Sequence, residues 1–116
     1  MQVYDEAAVL ARAIRESDVC REYRHLKEEI DGNETNRALI KEYKKLQMQL
    51  QLAAVAGAPT PDEDGQRFQQ IGALLFAQPV TSQFLLAEMR VQQMMADVYK
   101  ILGEAAGIDL EMPNMQ

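Results

Sequence analysis

Residues 33–56 read NETNRALIKEYKKLQMQLQLAAVA. Leu39, Tyr43, Leu46, Leu50 and Ala53 recur at alternating spacings of four and three, which sets them on one face of an α-helix. A second apolar row, Met48, Leu52 and Val55, lies partly opposite the first. Two apolar rows on one helix imply two partners. One is the core of the chain itself. The other is most simply the same patch on a second copy, because isologous pairs are the commonest oligomers. A homo-oligomer, either a dimer or a higher even assembly, is therefore expected. Its interface is placed on Met48, Leu52 and Val55, completed by Leu85 and Met89, which lie off the main apolar stripe of the last helix.

The punctuation around this stretch gives the rest of the fold. Upstream, Val3, Ala7, Leu10 and Ile14 form one helical stripe, Ser17-Asp18 a joint, and Val19, Tyr23, Leu26 and Ile30 a second stripe. Asp31-Gly32-Asn33 closes that helix and opens the next, with Asp31 (at capping-box spacing from Glu34) and Asn33 both available as the cap. Downstream, Gly57-Ala58-Pro59-Thr60-Pro61 is a loop, since its prolines lack N–H donors. Thr60 then offers an N-cap, Pro61 a first helical residue and Glu63 a reciprocal acid, which predicts a helix through Phe68, Ile71, Leu74 and Leu75 to about Gln78. Pro79 opens a final long helix ending near Gly103, with the stripe Phe84, Ala87, Val91, Met94, Met95, Val98, Ile101 and Leu102. The third and fifth helices each cover roughly 24 residues, or about 36 Å, and can pair antiparallel. The expected fold is all-α, an elongated bundle of about five helices with two long antiparallel ones. It forms a single domain over residues 1–103, followed by an extended or mobile tail over 104–116 that contains Gly107 and Pro113.

Composition excludes several function classes. The 116 residues carry a net charge of −6, with 47% apolar and 26% charged residues, which fits one small acidic globular domain. Asp5 and Glu6 stand where a secretory leader needs basic residues, and no apolar run approaches the roughly 20 residues of a membrane span, so a cytoplasmic location without membrane contact is expected. Cys20 and His25 are each the single residue of their type, so neither a disulfide nor a zinc or iron–sulfur site can be assembled within one chain. No phosphate-binding loop, dinucleotide fingerprint or nucleophile elbow is present, and no cofactor is expected. The seven methionines suit either an adaptable binding surface or, more often, a core.

Two sets of charged residues invite a chemical reading. Glu88 falls between Phe84 and Val91 on the stripe of the last helix, where a buried carboxylate needs a partner. It is either an acid or ligand with a chemical task, or a paired glutamate that fixes helix register. Structural pairs are commoner, and no second acid, histidine or nucleophile falls at catalytic spacing, so Glu88 is read as structural and the chain as non-enzymatic. Residues 1–45 hold nine of the twelve basic groups, and Arg37, Lys41, Lys44 and Lys45 share one helix face. That stripe supports an alternative function as an RNA-associated factor. Interleaved acids at Glu22, Glu28, Glu29, Glu34 and Glu42 instead mark a solvated face, and the acidic balance argues against direct nucleic-acid binding.

Ile14 to Ser17, the Leu39-Ile40-Lys41-Glu42-Tyr43 entry to the long helix with its Gln-rich continuation, and Phe84-Leu85-Leu86-Ala87-Glu88 occur in a particular order. Over roughly residues 4–103 this arrangement resembles the YlbF/YmcA family of small helical bacterial proteins. The resemblance implies a helical fold, oligomerisation, a cytoplasmic location and a regulatory, adaptor-like role through protein contacts. In low-GC Gram-positive bacteria, members are linked to competence, sporulation and biofilm development. Two act in a complex that modulates messenger-RNA processing by ribonuclease Y, so family relatives or a ribonuclease complex are the partners implied. Some members carry cysteines associated with iron–sulfur clusters; this chain departs from them, since its tail has none and Cys20 stands alone.

Overall fold

The computed structural model describes residues 1–108. It contains five helices: α1 (Gln2–Glu16), α2 (Asp18–Asp31), α3 (Glu34–Ala56), α4 (Asp62–Ala77) and α5 (Pro79–Ala106), with no strand among the described residues. The class is all-α, as the helical periodicity requires.

Short polar side chains fix the joints. Between α1 and α2, the Ser17 hydroxyl donates to the Ile14 carbonyl at 2.6 Å and accepts from the Cys20 amide at 3.2 Å. Asn33 is the cap of α3: its side-chain oxygen accepts from the Asn36 amide at 3.0 Å, which settles the choice between Asp31 and Asn33. At the far end of α3, Gly57 adopts φ 68°, and its neighbour Ala58 donates back to the Ala53 carbonyl at 2.9 Å. That left-handed turn costs glycine nothing and satisfies the end of the helix. Between α4 and α5, the Thr81 hydroxyl donates to the carbonyls of Leu75 and Gln78, and Thr81 is wholly buried.

Two ends differ from the sequence expectation. The start of α4 uses neither a Thr60 cap nor a helical Pro61: Pro61 is extended at ψ 133° and is itself the cap residue, without a side-chain bond. Its carbonyl accepts from the Asp64 amide at 3.0 Å, and Asp62, Glu63 and Asp64 place three carboxylates in the first turn, where the helix dipole favours them. The last helix also runs past Gly103 to Ala106. Gly103 is buried inside it, and the stop comes at Gly107, with φ 77°. Residues 104–106 of the expected tail are therefore helical, while 109–116 lie outside the described residues.

The described chain clusters into two compact units, and α2 and α5 run through both. The unit Leu26–Gln83 holds α3 packed against α4 around Ile40, Leu46, Ile71 and Leu75, with Leu26 and Ile30 from α2 also buried. Leu75 is fully buried, a burial worth about 1.5–3 kcal/mol. Tyr43 stacks on Phe68 with ring centroids 4.6 Å apart and meets Phe76 edge-on at 6.5 Å. Glycine at position 72 makes room for that tyrosine, since a β-carbon there would stand 3.2 Å from Cε1 of Tyr43. The other unit comprises Met1–His25 and the chain from Phe84 onward. Its buried side chains include Cys20, Phe84, Leu85 and Ala87, and Tyr23 stacks on Phe84 at 5.5 Å.

Candidate interaction surface

The buried face of α3 runs through Asn36, Ile40 and Leu46, with Leu39, Tyr43, Leu50 and Ala53 half-buried beside it. The second row stays in solvent. Met48 is 53% exposed, Leu52 61% and Val55 87%. These three are the largest exposed apolar side chains of α3, and they lie four and three residues apart, on one side of two consecutive turns.

The same face is also free of charge. Residues 46–61 contain no Asp, Glu, Lys, Arg or His. An exposed helix face in water ordinarily carries charges, so three turns without one, with three apolar side chains projecting, mark a surface built to be covered. The exposed polar residues here are Gln47, Gln49 and Gln51, whose amides both donate and accept.

The other residues expected at the interface divide. Met89 is exposed, but it belongs to the other compact unit. Leu85 is buried at 6% exposure and does not belong to any exposed surface. The reason is the width of the stripe on α5: Thr81, Phe84 and Leu85 are buried together and Glu88 half-buried, at i, i+3, i+4 and i+7, so Leu85 lies at its margin but within it. Glu88 is accordingly half-buried rather than enclosed, and it is already engaged with a neighbouring group.

The basic stripe is uneven. Arg37, Lys41 and Lys45 are exposed, whereas Lys44 is half-buried and partnered. Lys41 and Lys45 prolong the apolar row, since 41, 45, 48, 52 and 55 are spaced four, three, four and three. One continuous ridge thus begins basic and ends neutral. Elsewhere in the same unit, Ala38, Leu39, Ile71 and Leu74 floor an open groove of about 650 Å³ between α3 and α4. Arg67 Nε meets Glu42 Oε1 at 3.1 Å on its rim, an exposed pair of small energetic worth. In the other unit, Val3, Ala7, Leu10 and Leu102 line a cleft of about 500 Å³. Val3 stays 66% exposed and Leu102 47%, although both were read as core-facing. No group of three or more potential metal-ligating side chains occurs among the described residues, and no described helix is long and apolar enough to cross a membrane.

Residues 3–106 match the family described as control of competence regulator ComK, YlbF/YmcA. The chain belongs to the YlbF/YmcA family. Its similarity to curated members extends over nearly their whole length. A UPF0342 protein of Symbiobacterium thermophilum is 32% identical over 108 residues, covering 93% of this chain and 96% of that one. A UPF0342 protein of Caldicellulosiruptor saccharolyticus is 30% identical over 110 residues, covering 95% and 92%. Among solved structures, a protein of unknown function from Bacillus stearothermophilus superimposes with a TM-score of 0.74 at 19% identity, covering 92% of this chain and 94% of that one. A chain from Bacillus subtilis RicA in complex with RicF gives 0.60 at 23% identity, covering 91% and 94%. These two likenesses establish the fold. The second also shows that the YlbF/YmcA fold occurs in a complex between proteins.

Proposed function

We propose that this YlbF/YmcA protein is a non-enzymatic, cytoplasmic regulatory adaptor that acts through protein–protein contacts and self-associates through the α3 face of Met48, Leu52 and Val55. Its control falls in development or RNA processing in Gram-positive bacteria. The observation that carries the reading is the charge-free exposed ridge on α3. Apolar side chains exposed at 53–87% on one side of two turns have no solvation advantage, and removal from water would stabilise whatever covers them. The family's regulatory description and the RicA–RicF complex support a role in binding rather than in chemistry. Glu88, the one carboxylate with a claim to catalysis, is half-buried and partnered, which suits a structural role. The partnered state of Lys44 weakens the basic stripe as an RNA surface.

Light scattering across a concentration series tests the reading. The wild-type mass is expected to rise above that of one chain, and Leu52→Asp to return it to the monomer while the far-ultraviolet helical signal stays unchanged. A mass unaffected by Leu52→Asp would remove this face from the account.

A further inference from the structure

We infer that two copies of this chain pair antiparallel through α3, about a two-fold axis at Leu52. Met48 of each copy then packs against Val55 of the other. The inference rests on the self-association proposed above and adds its geometry and the reason for it.

The ridge Lys41, Lys45, Met48, Leu52, Val55 is polar at one end and apolar at the other. Its apolar part is nearly symmetric about Leu52, with Met48 one turn before and Val55 one turn after. A two-fold axis through Leu52 therefore sets large apolar residues against each other at every contact. Parallel pairing would do so too, but it would also align Lys45 with Lys45 and Lys41 with Lys41, bringing like charges together. Antiparallel pairing moves Lys45 past Val55 of the second copy toward its Gly57-Ala58-Pro59 end. There the α3 helix terminates in its last carbonyls and no charged side chain intervenes before Asp62. A lysine at a helix C-terminus meets the negative end of the dipole, so the arrangement replaces repulsion with attraction.

The same charges argue for a second copy as the occupant. The chain is acidic, with a net charge of −6, so two copies repel each other on balance. Residues 46–61 carry no charge and present Met48, Leu52 and Val55 to solvent in one row, so this face escapes that repulsion. Gln51, next to the axis, is exposed, and its amide can donate to and accept from the identical amide of the second copy, which a charged residue there could not do.

Single cysteines read the geometry directly. A disulfide needs α-carbons less than about 7 Å apart. With antiparallel helices about 8–10 Å between axes, only residues near the two-fold axis meet their own counterparts, because displacement along the helix doubles at about 1.5 Å per residue. Leu52→Cys is thus expected to form a disulfide-linked dimer under mild oxidation in the full chain. Met48→Cys and Val55→Cys alone are expected to remain monomeric on a non-reducing gel, and an equimolar mixture of the two to cross-link. The wild type, whose Cys20 is buried, is the control. Cross-linking of all three single variants would overturn the antiparallel pairing in favour of a parallel one. A dimeric mass with no cross-link at any position would overturn this interface while leaving self-association in place. A monomer at every concentration would overturn both.

Discussion

Gly65 and Gly72 lie about two turns apart in α4, but their α-carbons face different surroundings. A β-carbon on Gly65 would meet nothing within 4 Å, whereas one on Gly72 would stand 3.2 Å from the Tyr43 ring. That ring cannot easily retreat, because Phe68 stacks on one side at 4.6 Å and Phe76 abuts its edge. Gly65→Ala is therefore expected to stabilise the protein by about 0.5–1 kcal/mol through helix propensity. Gly72→Ala should destabilise it by about 1 kcal/mol despite the same intrinsic gain, since crowding a packed ring outweighs it. Urea denaturation midpoints of the two variants, moving in opposite directions, would check the pair. The sequence alone gave no way to separate them: both are glycines inside one helical pattern, and only the position of Tyr43 distinguishes their roles.

Helix ends show what the pattern of residues determines locally and what it leaves to context. Asn33 accepts the Asn36 amide, so Asn33→Ala should cost about 1 kcal/mol. Thr60→Ala should change stability by less than about 0.5 kcal/mol, because Pro61 occupies the cap of α4 and no side chain bonds there. Equal losses in thermal denaturation of the two variants would contradict this assignment of caps. The Thr60-Pro61 signal was a valid local preference overridden by an extended Pro61, with three acids then supplying the favourable charge. By contrast, Pro79 opens α5 as its lack of an N–H predicts, because that missing donor is surplus at a first helical position. Side-chain direction was harder to read than helix existence. Taken one row at a time, α5 put Leu85 off the core, yet its buried stripe is wide enough to take Phe84 and Leu85 together. The apolar row of α3 was legible because its spacing differs from that of the core-facing row. The absence of charge from 46 to 61, equally visible in the sequence, gains meaning only once that face is known to be exposed.

At the scale of the whole molecule, charge separates the two ways this chain could reach an RNA-processing complex. Nine of its twelve basic groups lie in residues 1–45, but ten acids accompany them, and Lys44 is already partnered. A stripe so neutralised releases few counterions, so direct RNA affinity should be weak, and what there is should weaken further with salt, with a shallow slope. The neutral ridge of α3 has no such dependence, because apolar burial survives screening that removes interactions between exposed charges. Tagged protein captured from native cytoplasm under anaerobic conditions is therefore expected to retain family relatives or a ribonuclease after nuclease digestion and a moderate salt wash. Mass spectrometry of the retained proteins gives the readout. Partners lost with nuclease would mean that RNA bridges them, which would favour the basic stripe of Arg37, Lys41 and Lys45. Recovery of this chain alone would confine the protein to self-association and detach it from the family's link to RNA processing. Retention through both treatments, abolished by Leu52→Asp and reduced by adding excess untagged chain, would mean that the partner and the second copy compete for one face. The adaptor would then be regulated by its own dimerisation, with rising concentration of the chain closing the surface that the partner needs.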